Sequence, residues 1–136
     1  MITTVQQFIE LTDTESPDLR WLGRTLGATT KVWNALLRDY PEYWGAVALN
    51  KSVPVEILDR LAACEDERVR ETVAMRRKIS LYAMRLLSKD ASSSVRSTLV
   101  RNPKIDLDVL REMTADEDTY VASEARERLS RRDDVD

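Results

Sequence analysis

Apolar residues recur along this chain with a long period laid over a short one. Set out in rows of 26 residues, Tyr43, Val69, Val95 and Val121 fall in one column, and Val47, Val73, Leu99 and Ala125 in another. Val53, Ile79 and Ile105 make a third column, Leu58, Met84 and Leu110 a fourth, and Leu61, Leu87 and Met113 a fifth. Between the columns the residues drift. Self-similarity at such a period marks a stack of like units, because each unit leaves apolar surface that only its neighbour covers.

Within a row the short period is that of a helix: apolar residues at i and i+4, or i and i+3, share one face. The spacing predicts a short first helix over residues 69–76 and 95–102. It predicts a second helix over 54–65, 80–89 and 106–115, and a closing helix over 119–132. The punctuation agrees. Asp66, Ser92 and Asp118 share a column just before the short helices, and Ser80 and Asp106 share one before the second helices. All five carry a side-chain oxygen able to cap a helix N-terminus. Pro54 suits a first helical turn, and Pro103 breaks the chain after Asn102.

The first third is less regular. Residues 29–40 align with the second helix through Val32 and Ala35, whereas 1–11 and 17–26 are helical without matching the rows. The expected organisation is a single domain over 1–132. Residues 1–42 form an irregular N-terminal cap region, 43–132 the repeats and a C-terminal cap helix, and 133–136 a frayed tail. The last helix suits an end position, because Val121, Ala125 and Leu129 form a narrow stripe among charges.

These rows resemble the leucine-rich repeat variant and HEAT-like families. Asn50, Pro54, Glu56, Leu58, Leu61, Ala62, Asp66, Val69 and Arg70 carry the likeness, and Val95, Arg96, Asn102, Pro103, Leu110, Asp116 and Asp118 carry it again. The resemblance spans about residues 43–128. It implies an all-α fold, a short right-handed α-solenoid of stacked helix pairs. Some proteins with such repeats also hold an iron–sulfur cluster on several cysteines, which the single Cys64 cannot supply.

Composition narrows the function. The chain has 136 residues, 43% hydrophobic and 33% charged, with only 3 glycines and 4 prolines, which favours helices joined by short turns. Histidine is absent, so the commonest general base and zinc ligand are missing. Gly23 and Gly27 are isolated and Gly45 lies in a helical stretch, so no phosphate-cradling loop is present. A non-enzyme without cofactor or metal is expected. The acidic runs 65–67 and 116–118 precede helices, where negative charge complements the positive helix end. Cys64 reads as a buried or half-buried packing thiol. With no membrane-length apolar run and no signal-like start, a cytoplasmic protein is expected.

Charge is segregated. Residues 1–68 hold seven basic and eleven acidic side chains, 69–104 nine and two, and 105–136 five and eleven, for a net charge of −3. Two columns are candidate binding surfaces. One holds Trp44, Arg70, Arg96 and Ala122; the other, at the break after the short helix, holds Lys51, Arg76, Arg77, Lys78, Arg101 and Lys104. The second column converges on one edge of the stack. Arg70 and Arg96 have an alternative role as structural partners of a carboxylate such as Asp66 or Asp118. Trp21, Trp33, Trp44, Tyr40 and Tyr43 read as cap packing ahead of a hot spot. The function expected is a non-catalytic, monomeric protein-binding scaffold, or an inhibitor or immunity-type protein, with another protein as partner. The alternative is nucleic-acid binding to phosphates through the basic middle, against which the pI near 5.1 weighs.

Overall fold

The computed structural model describes residues 1–135, with side chains as far as Arg132. Among the described residues the fold is all-α. Ten helices run in order: α1 (Val5–Asp13), α2 (Pro17–Thr25), α3 (Thr30–Asp39), α4 (Trp44–Leu49), α5 (Val55–Leu61), α6 (Glu67–Ala74), α7 (Leu81–Leu87), α8 (Ser93–Val100), α9 (Leu107–Met113) and α10 (Thr119–Val135). A single 3-10 turn, Pro41–Tyr43, joins α3 to α4. None of the helices is long and apolar enough to cross a membrane.

Most of these helices are too short to persist alone in water, where about 12–15 residues are needed even for good helix formers. Two things hold them. The first is capping: Thr4, Ser16, Thr29, Asp66, Ser80, Ser92 and Asp106 each accept a backbone N–H from the first turn of the following helix. Each such cap is worth about 1 kcal/mol. Asp118 caps α10 in the same way through the N–H groups of Tyr120 and Val121. Pro54 departs from expectation. It sits at the cap position of α5 in an extended conformation, and with no oxygen in its side chain it makes no side-chain capping bond.

The second is sequential packing. α4 packs on α6, α6 on α8 and α8 on α10, while α5 packs on α7. The apolar columns are what meet. Val47, Val73, Leu99 and Ala125 are fully buried, and so are Val53, Leu58, Leu87 and Leu110, in one core that runs from Ile2 to Ala125. Two further buried columns, Ala48, Ala74 and Val100, and Ile57, Ala83 and Val109, complete that core.

The short helices begin two residues earlier than the apolar spacing indicates, at Glu67 and Ser93, because the caps set the start and not the first apolar residue. At the other end α10 is carried to Val135, into the stretch expected to fray; Asp136 lies outside the described residues. The N-terminal third forms a cover. Gly23 of α2 lies so close to α1 that a Cβ there would stand 3.0 Å from both Leu11 Cβ and Leu11 O. The chain start is pinned by Ile2, whose N–H donates to Gly27 O at 2.8 Å and whose C=O accepts Thr29 N–H at 3.1 Å.

Candidate functional site

The column of Arg70 and Arg96 forms a bonded ladder. Arg70 grips Asp90 with two parallel bonds, Nε to Oδ2 at 2.7 Å and Nη2 to Oδ1 at 3.2 Å, while its Nη1 donates back to the Cys64 and Glu65 carbonyls. Arg96 repeats this one row on, with Nε to Asp116 Oδ2 at 2.9 Å, Nη2 to Oδ1 at 3.2 Å and Nη1 to the Asp90 carbonyl at 2.7 Å. Asp90 and Asp116 each accept a further N–H, from Ser92 and Asp118, which shapes the turn into the next short helix. The pairing carboxylates are therefore Asp90 and Asp116, and not the Asp66 and Asp118 suggested by adjacency. Those two are occupied as caps. Bidentate bonding to Asp90 and Asp116 raises both guanidinium pKa values. Both arginines are withdrawn from solvent, Arg96 to 7% exposure.

Trp44 stands in this column one row earlier, half-buried, with Nε1 donating to Leu36 O at 3.1 Å. Cys64 occupies the place that Asp90 and Asp116 hold in later rows, and is half-buried; burial pushes its thiol pKa up. Pro41, Trp44, Ala63 and Cys64 line a shallow depression there.

The break column divides into two groups. Asn50 Nδ2 donates to the carbonyls of Gly23 and Leu26, 27 and 24 residues back, at 2.8 and 2.9 Å. Asn102 Nδ2 does the same to Ala74 and Arg76, 28 and 26 back, at 2.7 and 2.9 Å. Between them in the column, Arg76 donates to the Leu49 and Asn50 carbonyls, and Arg128 to that of Val100. An asparagine or an arginine in every row thus satisfies the free carbonyls at the end of the preceding short helix. Arg76 is part of this frame, its Nε is buried without a partner, and burial pulls its pKa down. Lys78 Nζ donates to Lys51 O at 3.0 Å, and burial followed by the nearby Arg76 charge lowers its pKa. Arg101 bonds Ser97 Oγ at 2.8 Å and Glu124 at 3.2 Å.

Lys51, Arg77 and Lys104 remain. All three are exposed, and among the described residues their side chains make no hydrogen bond or ion pair. The same is true of Arg24, 27 residues before Lys51, a residue the sequence columns did not single out.

A second feature escaped the sequence reading. On α7, Tyr82 is 64% exposed, Leu81 48% and Leu86 38%. Tyr82 stands where the rows before and after have Glu56 and Asp108, and Leu86 where they have Arg60 and Glu112. The signal was available: apolar residues in columns that are charged in both neighbouring rows. It was masked because Leu81, Tyr82 and Leu86 lie among core residues of the same helix. Trp21, on α2, is likewise 60% exposed, beside Arg20 and Arg24.

Comparison of the chain with protein-family models, with curated proteins and with solved structures gives no match.

Proposed function

We propose that these helices build a short right-handed α-solenoid of the leucine-rich-repeat-variant and HEAT-like kind, and that it is a non-catalytic protein-binding module, acting as a scaffold or as an inhibitor of the immunity type. The solenoid reading draws support from bonds that recur one row apart: the Arg70 and Arg96 ladder, and the row-to-row contacts of Asn50, Arg76, Asn102 and Arg128. Solenoids bind through surfaces made by successive units.

The observation that carries the binding reading is the face of α7. Solvent-facing positions of α5 and α9 hold charge, while Tyr82 and Leu86 leave a large apolar surface between them. Contiguous exposed apolar side chains rimmed by charge mark a surface that another protein covers, and tyrosine is enriched among binding hot spots.

The test compares the wild-type protein with the double variant Tyr82→Glu/Leu86→Glu, each immobilised and exposed to extract of the native source. The expected result is a protein retained by the first and lost from the second, with unchanged helical signal and melting. Equal retention by both would refute the α7 assignment. A second reading, binding of nucleic-acid phosphates, is favoured by the uncommitted cations Lys51, Arg77 and Lys104. Titration of oligonucleotides at low salt decides it, and absence of binding at micromolar protein removes it.

A further inference from the structure

The breaks between first and second helices carry cations that the frame does not consume. Arg76, Lys78 and Arg101 are committed to intrachain acceptors. Arg24, Lys51, Arg77 and Lys104 are not, and they follow one another at intervals of 27, 26 and 27 residues, close to one row. The turns that bear them are bonded to each other: Lys51 N–H donates to Arg24 O at 2.7 Å, Lys78 Nζ to Lys51 O at 3.0 Å, and Asn102 Nδ2 to Arg76 O at 2.9 Å. Packed helices stand about 8–10 Å apart, so the four charges form a strip on the order of 30 Å long.

Within the breaks themselves little opposes this charge; Glu56 and Asp108 follow in the first turns of α5 and α9. The one carboxylate within the three breaks 50–54, 76–80 and 102–106 is Asp106, and its Oδ1 caps α9. At the opposite end α6 is preceded by the acidic turn 65–67 and α8 by Asp90, which Arg70 holds. Each of these helices is 8 residues long. That separates the two edges by about 12 Å, more than one screening length at physiological salt. The strip also leads into the apolar face of α7, since Leu81 and Tyr82 follow directly on the Arg77–Ser80 turn.

We propose that this edge seats an extended acidic polypeptide segment, its carboxylates on Arg24, Lys51, Arg77 and Lys104 and an apolar side chain against Leu81 and Tyr82. This rests on the protein-binding reading above and names the chemistry of the partner. An extended chain advances about 3.3 Å per residue, so acidic residues three apart reach successive rows. A long nucleic-acid strand fits less well. It runs past the strip and meets the repulsion of a molecule whose net charge is −3.

The experiment uses the full chain and a fluorescein-labelled 14-residue peptide with Glu at every third position, one central Phe, and Ser and Gly elsewhere. The comparison ligands are the same peptide with Lys for Glu, and (dT)20, all followed by anisotropy at low salt. The acidic peptide binds and the Lys peptide does not. The triple variant Lys51→Glu/Arg77→Glu/Lys104→Glu weakens binding by about tenfold or more. The corresponding triple alanine variant weakens it less, and Arg68→Glu/Lys89→Glu leaves it unchanged. Circular dichroism confirms that each variant is folded. Absence of peptide binding, equal binding by the triple variants, or tighter binding of (dT)20 overturns the proposal. In the native extract, a partner lost from Tyr82→Glu/Leu86→Glu but kept by the triple variants overturns the strip alone. If the wild type retains no protein at all, the underlying protein-binding reading falls with it.

Discussion

Asn102 shows how much one buried amide does in this molecule. It is 2% exposed, donates to two carbonyls of the preceding row and accepts the N–H of Lys104 at 2.8 Å, so a single side chain closes its own turn and ties two rows. Asn102→Ala removes the partner of three backbone groups, one buried and two part-buried, and a loss of about 2–4 kcal/mol is expected in urea denaturation. Asn102→Asp is expected to be worse near neutral pH, because a carboxylate cannot donate to the Ala74 and Arg76 carbonyls. Burial against two oxygens raises the folded pKa of that Asp above its unfolded value of about 3.9. The deficit therefore grows as pH rises through the folded pKa and shrinks as pH falls. Stability curves of the two variants at pH 5 and pH 7.5 should converge at the lower value, and parallel curves would contradict this account. In the sequence Asn50 and Asn102 were legible as breaks. Their bonds were not, because an amide reaches its carbonyl acceptors through space, across a full row.

At the scale of the element, helix existence was readable and helix ends less so. Apolar spacing places residues on a face but does not say where the first turn begins, and the caps Asp66 and Ser92 move α6 and α8 forward by two residues. The N-terminal helices illustrate a different limit. α1 and α2 do not match the rows, yet the end of α2 receives the Asn50 bonds just as the end of α6 receives those of Asn102. α2 thus takes the place of a short helix with α1 as its cover, and the contact depends on Gly23. Gly23→Ala sets a methyl against the Leu11 backbone, and overpacking of this kind costs about 1–3 kcal/mol. The predicted signature is faster amide exchange in α1 together with a lower melting temperature. Gly27→Ala is the control, since a Cβ there meets only Ser52 Cβ, at 3.5 Å.

Across the whole molecule the segregated charge acquires a geometric meaning. Acidic turns stand at the N-terminal ends of α6 and α10, and basic breaks at the C-terminal ends of α6 and α8, the arrangement that complements the helix dipole. Part of the net charge of the middle segment is neutralised by Asp116 and Glu124 of the acidic C-terminal stretch. Removing one rung tests this coupling. The Arg96 and Asp116 side chains are 8% and 6% exposed, so Arg96→Ala leaves a buried, unpaired carboxylate and costs about 3–5 kcal/mol. The loss should spread, because Arg96 also holds the turn carbonyl of Asp90. Hydrogen exchange is expected to quicken in both α8 and the start of α10. A response confined to α8 would show that the rows are not coupled through this ladder.

By itself the sequence determined the helices, their order, the caps Asp66, Ser80, Ser92, Asp106 and Asp118 and the columns that become the core, because these follow from residue type and from spacing along one chain. Tertiary structure decided which charges are spent. Arg70, Arg76, Arg77 and Lys104 look alike in the sequence, yet the first two are bound to acceptors 20 or more residues away and the last two have no side-chain partner among the described residues. The physical reason is reach. A guanidinium finds its carboxylate 20 residues on, at 2.7 Å, or its carbonyl 26 residues back, at 3.3 Å, only once the helices have packed in sequence and brought those groups together.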